Sequence, residues 1–201
     1  MMSKKRICVY AASSDGVGEP YRQACRQLAE SLARRGETLV YGAGAIGLMG
    51  LIADIFLEYQ CHTIGIITEK LNRPEIVHHG LKELHIVADM RERKRRMEEL
   101  ADCFIACPGS LGTLEELFEI MTLKQLEYHN KPIVVFSPHD FFQPLYHYLE
   151  FLCEKNFLKR DFLDLAFFTD YVPDILEYLD TYQPVQRESK LFSHDCEPLC
   201  P

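Results

Sequence analysis

The sequence has no apolar run long enough to cross a membrane, no Cys-x-x-Cys pair, no surplus of positive charge and no stretch of low complexity. Each absence closes off a class of function. A membrane-spanning helix needs about eighteen or more apolar residues in a row. The apolar stretch after the basic start covers only residues 7–12, which is also too short for the core of a secretion signal. Eight cysteines are scattered at positions 8, 25, 61, 103, 107, 153, 196 and 200. Without zinc or redox-motif spacing they are expected to be reduced, structural thiols of a cytoplasmic protein. Lysine and arginine number 22 against 30 acidic residues, a formal charge of -8. That balance argues against broad binding to nucleic acid, which relies on a large basic surface that releases counterions.

What is present is ordinary globular material: 201 residues, 47% hydrophobic and 26% charged, enough to fill one core without staples. Short apolar, β-branched runs at 7–11, 38–41, 63–67, 84–87, 103–106 and 133–136 alternate with helical periodicity at 21–35, 48–59, 91–101, 113–127 and 141–155. A weaker strand at 163–168 and helix at 173–179 follow. This alternation predicts βαβ units and a parallel sheet covered on both faces. The expected fold is a doubly wound, Rossmann-like three-layer sandwich in a single nucleotide-monophosphate-binding domain over residues 1–182. A polar tail over 183–201 is expected to be poorly ordered. Its His194, Cys196 and Cys200 have a metal-chelating reading, which the terminal position disfavours.

In such folds ligands sit beyond the carboxyl ends of the strands. After the strand at 103–106 comes Pro108-Gly109-Ser110-Leu111-Gly112-Thr113. Its glycines are expected to allow a positive-φ turn and close approach of a ligand, and the helix predicted from Thr113 offers unpaired N–H groups and a positive dipole end to an anion. The spacing is neither that of a dinucleotide fingerprint nor that of a P-loop, and taken alone it also reads as a plain strand-to-helix turn. Two further small-residue loops, Ala12-Ser13-Ser14-Asp15-Gly16 and Gly42-Ala43-Gly44 running on to Gly47-Leu48-Met49-Gly50, leave strands at the same edge. Their convergence favours a ligand site.

The segment from Asp89 to Leu100 is heavily charged, yet helical period places Arg93 and Lys94 on the face that carries Met90, Met97 and Leu100. Inward cations are costly unless paired, so Glu115, Glu116 or a bound anion is expected opposite them. Glu116 has a second reading, because Thr113-x-x-Glu116 has the form of a helix capping box.

At these residues the sequence resembles the LONELY GUY family, the cytokinin riboside 5'-monophosphate phosphoribohydrolases, whose bacterial members often carry the label "possible lysine decarboxylase". The family's Pro-Gly-Gly-x-Gly-Thr-x-x-Glu is matched by residues 108–116, and its Met-x-x-Arg-Lys by Met90-Arg91-Glu92-Arg93-Lys94. The glycine turn at 41–50 and His129-Asn130-Lys131-Pro132 extend the likeness over nearly the whole chain before the tail. Three positions depart from the pattern: Ser110 replaces the second glycine of the signature, Ala43 replaces a glycine in the earlier turn, and Leu123 stands where tryptophan is usual.

The resemblance implies a homodimer that hydrolyses a purine-type nucleoside 5'-monophosphate, adenine or cytokinin, to free base and ribose 5-phosphate, with no cofactor and no metal. It implies Arg93 and Glu116 as the catalytic pair. Gly109, Ser110, Leu111, Gly112, Thr113, Leu114 and Glu115 would contact the substrate, with Glu75, Lys94 and Thr122. In the expected mechanism Glu116 steadies the ribosyl cation, while Arg93 holds the phosphate-ribose unit and keeps Glu116 ionised. The rival from another class is a non-catalytic carrier of a phosphorylated ligand such as molybdenum cofactor. A pyridoxal decarboxylase lacks a lysine context, and His78-His79 lacks the spacing of a metal pair and is expected to be solvated.

Overall fold

In the computed structural model, residues 4–184 are described; most of the tail, 185–201, lies outside them. Seven strands form one fully parallel sheet: β1 (Arg6–Tyr10), β2 (Thr38–Tyr41), β3 (Thr63–Thr68), β4 (Glu83–Val87), β5 (Cys103–Ala106), β6 (Ile133–Phe136) and β7 (Phe167–Thr169). Six α-helices connect and flank them: α1 (Glu19–Arg34), α2 (Gly47–Glu58), α3 (Met90–Leu100), α4 (Leu111–Gln125), α5 (Gln143–Glu154) and α6 (Val172–Thr181).

The strand order is β4-β3-β2-β1-β5-β6-β7. The chain therefore winds outward from β1 in one direction, returns, and winds from β5 in the other. The switch lies between β1 and β5, where Ile7 to Tyr10 pair in register with Cys103 to Ala106. Connections diverge there and leave a crevice at the carboxyl edge.

Period-two alternation splits the core. Ile7, Val9, Leu39, Tyr41, Ile105 and Phe136 pack under α1, α2 and α6, whereas Cys8, Tyr10, Val40, Ile66, Phe104 and Val135 pack under α3, α4 and α5. A side chain on each face of every central strand is thus buried, which is why these strands are apolar throughout. This is the doubly wound α/β sandwich expected from the sequence.

Most bounds lie within one or two residues of expectation, and two of the differences matter. The segment read as a strand over 163–168 is a 3-10 turn, Arg160–Leu165, followed by the short edge strand β7. Only Phe167, Phe168 and Thr169 find partners on β6, while Leu163 and Leu165 turn into the core beside α4 and α5. Helix α4 begins at Leu111 rather than Thr113, since Leu114 N–H already donates to Ser110 O at 3.0 Å.

Candidate active site

The three loops predicted to converge do so. Ala12 N–H donates to Pro108 O at 3.0 Å across the switch point, and Met49 N–H donates to Ala12 O at 3.2 Å. The carboxylate of Asp15 accepts from Gly47 N–H at 3.1 Å. Gly47 has φ of 70°, and a Cβ there would lie 2.7 Å from Ala12 O and Ser14 N, so the closure of these loops requires glycine at this position.

The turn at 108–113 works differently from the sequence expectation. Neither Gly109 nor Gly112 has a positive φ. Gly109 is required for close packing instead, because a Cβ there would fall 2.0 Å from Oγ1 of the buried Thr113, whereas one on Gly112 meets nothing within 4 Å. Ser110 is the N-cap residue with φ of -108° and makes no side-chain capping bond. A serine therefore sits here without backbone strain. Ser110, Leu111 and Gly112 are all exposed, so the first N–H groups of α4, which lack intrahelical acceptors, could be reached by an anion from solvent.

The early start of α4 removes the capping-box reading of Glu116. Thr113 lies inside the helix and Glu116 a turn and a half from its start. The Glu116 carboxylate instead meets Arg93 of α3, Nη1 to Oε1 at 3.4 Å. Arg93 is 8% exposed; its Nε donates to Ile66 O at 3.0 Å and its Nη2 to Gly42 O at 3.3 Å. A buried guanidinium is thus held by the carboxyl ends of β2 and β3 and aimed at α4. Lys94 pairs with Glu115 and, at 3.1 Å, with Glu119. Burial disfavours its charge, but the hydrogen bonds to Glu115 and Glu119 prevail and raise its pKa. The inward cations do have carboxylate partners, as their place on the helix predicted. The apolar stripe is shorter than expected, because Met97 is buried while Met90 is 43% exposed.

The electrostatics overturn one expectation. Burial pushes the Glu116 carboxyl up to about 7, outweighing the opposing charge of Arg93. Arg93 does not keep this carboxyl fully ionised at neutral pH, because removal from water penalises the anion more than one cation at 3.4 Å repays. Tyr10, the last residue of β1, is buried nearby; burial first, then Cys8 and Glu116, raise its pKa and keep it neutral.

The fold thus brings together Arg93, Lys94, Glu115, Glu116, Leu114 and the turn at 109–113. Glu75 is exposed on the loop between β3 and β4. That loop docks on the β2 turn through a Gly44–Val77 bridge and the bond from Ala45 N–H to Ile76 O at 2.9 Å. Thr122 is exposed on α4, eleven residues past Leu111, or about 16 Å along the helix axis. Sequence reasoning missed Glu119, although its i+4 spacing from Glu115 was available, and the bond from Arg93 to Gly42 O. It also misjudged His78, whose side chain is 13% exposed and bound to Asp54.

A carboxyl pushed up to about 7 and held by a buried arginine, a turn and a half from the start of a helix, is what this doubly wound α/β protein builds near its switch point. The chain belongs to the LONELY GUY family: residues 49–179 match the family model described as "Possible lysine decarboxylase", and its relatives are cytokinin riboside 5'-monophosphate phosphoribohydrolases. One from Rhodococcoides fascians is 40% identical over 155 residues, covering 77% of this chain and 78% of the relative. The enzyme LOG5 of Arabidopsis thaliana is 38% identical over 181 residues, covering 90% and 79%. Among solved structures, a molybdenum cofactor binding protein of Rippkaea orientalis aligns with a TM-score of 0.66 at 19% identity, covering 90% of this chain and 98% of that one. The molybdenum cofactor carrier protein of Chlamydomonas reinhardtii aligns at 0.64 and 16%, covering 89% and 97%. At these identities the likeness shows the shared fold.

Proposed function

We propose that this protein hydrolyses the N-glycosidic bond of a purine-type nucleoside 5'-monophosphate, adenine or cytokinin, releasing free base and ribose 5-phosphate. The observation that carries the reading is the Glu116 carboxyl, raised to about 7 and held by Arg93 one and a half turns from the exposed start of α4. Breaking the bond from C1′ to the base nitrogen leaves positive charge on the ribose and negative charge on the base. Water adds to C1′ and its proton goes to Glu116, whose raised pKa makes it a competent base near neutrality. The departing base takes up a proton from solvent, and Glu116 releases the one it accepted, so that one water is consumed per bond broken. Arg93, bound to two backbone carbonyls, orients Glu116 rather than reaching for the phosphate.

The 5'-phosphate is received by Gly109, Ser110, Leu111, Gly112 and Thr113, with the charge of Lys94 nearby and Leu114 and Glu115 completing the wall. Glu75, Lys94 and Thr122 are the further substrate contacts in this reading. Residues 1–182 form the nucleotide-binding unit, and the working form is a cytoplasmic homodimer. Exposed Met90 on α3 and Leu111 and Phe118 on α4 support a second copy, and Thr122, well along α4 from the cradle, suits a nucleotide held by that copy. Among the described residues no helix is long and apolar enough to cross a membrane. No cofactor, metal, nucleic acid or membrane enters the reaction. A carrier of molybdenum cofactor shares the fold, but the enzymes are the relatives at high identity, and a carrier has no use for a carboxyl poised at neutrality.

The test is to incubate the protein with AMP, isopentenyladenosine monophosphate and adenosine and to separate the products. Base and ribose 5-phosphate should appear from the monophosphates, and adenosine should react poorly for want of phosphate binding energy. Recovery of all three intact after hours with stoichiometric protein overturns the proposal.

A further inference from the structure

The Arg93 guanidinium depends on a turn that is itself held from outside. Nη2 of Arg93 donates to Gly42 O, and the next residue, Ala43, is fully buried with φ of 59°. This left-handed conformation is unfavourable for any residue with a Cβ. The methyl is tolerated because Gly65 lies beneath it; a Cβ on Gly65 would be 2.8 Å from that of Ala43. Ala43 O accepts from His78 N–H at 2.9 Å, and Ala45 N–H donates to Ile76 O at 2.9 Å. The loop over 72–80 is therefore the outer wall of the turn.

A small apolar group packs beneath that loop: Ala43, Ile67 and Val77, with Ile76 and Leu81 partly buried against them. A side-chain tie adds to the two backbone bonds. His78 Nδ1 accepts from Gly80 N–H at 3.1 Å, which leaves the proton of the neutral ring on Nε2, and Nε2 meets Asp54 Oδ1 of α2 at 2.9 Å. Gly80 lets the loop close against α2, since a Cβ there would lie 3.0 Å from Leu57 Cδ1 and 3.2 Å from the His78 ring.

We propose that Asp54 and His78 are positioning residues, a clamp between α2 and the 72–80 loop that holds the Gly42–Ala43 turn in its left-handed form and, through Gly42 O, sets Arg93 against Glu116. The same clamp fixes where Glu75 stands, so its catalytic consequence rests on the phosphoribohydrolase reading. Neither residue touches the nucleotide.

The experiment compares Asp54→Ala, His78→Ala and His78→Gln in the full chain, with AMP as the probe and hydrogen exchange as a second readout. Asp54→Ala and His78→Ala should lower kcat for AMP by about tenfold, an effect of about 1.4 kcal/mol, and move the pH limb of kcat/KM upward, because Arg93 then opposes protonation of Glu116 less. His78→Gln keeps an N–H donor toward Asp54 and should restore most of the wild-type kcat and the wild-type limb. A merely structural role would reduce the amount of active protein, lowering apparent kcat with the pH limb unmoved; that result overturns the proposal. The amides of Ala45 and His78 should also exchange about tenfold faster in Asp54→Ala, with those of β1 unchanged. Asp54 lies on an exposed helix face, so this variant folds even if the His78 variants do not. Unchanged exchange at both amides overturns the clamp, and this holds even if the wild type leaves AMP intact, a result that would remove only the proposed activity.

Discussion

The guanidinium of Arg93 occupies the space where a side chain on Gly42 would be: a Cβ at residue 42 would lie 1.8 Å from Arg93 Nη2 and 2.8 Å from Met49 Cε. Gly42 is therefore defined by an arginine 51 residues further on, in α3, and the Arg93–Glu116 pair exists only because β2 is followed by a residue without a side chain. Gly42→Ala should displace the guanidinium from Glu116. A shift of about 1 Å there costs on the order of 100-fold in kcat, and overpacking costs about 1–3 kcal/mol of stability. Steady-state kinetics alongside thermal unfolding check both effects; wild-type kcat would show that Arg93 placement is not needed.

Replacing Glu116 by Gln removes the proton acceptor while keeping its shape. The expected loss in kcat is about 100-fold to 10,000-fold, with KM for AMP little changed. In the wild type, kcat/KM should rise with pH and level off above about 7, the value to which burial pushes this carboxyl. Because the charge of Arg93 opposes that rise, Arg93→Gln should move the limb to higher pH. A rate independent of pH between 5 and 8 would remove Glu116 from the proton transfer.

The same carboxyl links stability to pH. Its folded pKa lies above the ordinary 4.5, so the folded state binds the proton more tightly than the unfolded state. Stability from this group is full below about 4.5 and declines as pH rises through about 7. Glu116→Gln lacks this dependence. Between pH 5 and 8 the variant should gain up to about 3 kcal/mol relative to wild type, as read by urea unfolding at each pH. A constant gap between the two proteins would contradict the buried, partly protonated state.

Two glycines of the 108–113 turn should respond in opposite ways. Gly109→Ala forces a Cβ to 2.0 Å from Thr113 Oγ1 and should destabilise by about 1–3 kcal/mol. Gly112→Ala enters open space in the first turn of α4 and should leave stability unchanged or raise it by up to about 1 kcal/mol. Thermal unfolding of the two variants decides this, and equal melting temperatures would contradict the packing argument.

Much of the framework was legible because it is periodic. Runs such as Cys103 to Ala106 and Ile133 to Phe136 are apolar at every position, which occurs in a sheet covered on both faces, and the strand bounds there match the structure. The inward direction of Arg93 and Lys94 also followed from helical spacing. The 3-10 turn over Arg160–Leu165 escaped detection because its leucines are buried by a turn that presents no regular period. The start of α4 was misjudged because Thr113 looks like a cap, while the structure places it inside the helix with its hydroxyl against Gly109.

The sequence by itself determined the alternation of strands and helices, the small-residue loops at one sheet edge and the choice of Arg93, Lys94, Glu115 and Glu116 as partners. These depend on spacing along the chain, which the pattern of side chains encodes directly. Tertiary structure alone decided that Glu116 sits near neutrality instead of being held ionised by Arg93, that Gly42 makes room for the guanidinium, and that His78 is bound to Asp54 and not solvated. Each of these depends on how far a group is removed from water and which distant segment approaches it, and both are properties of the packed molecule.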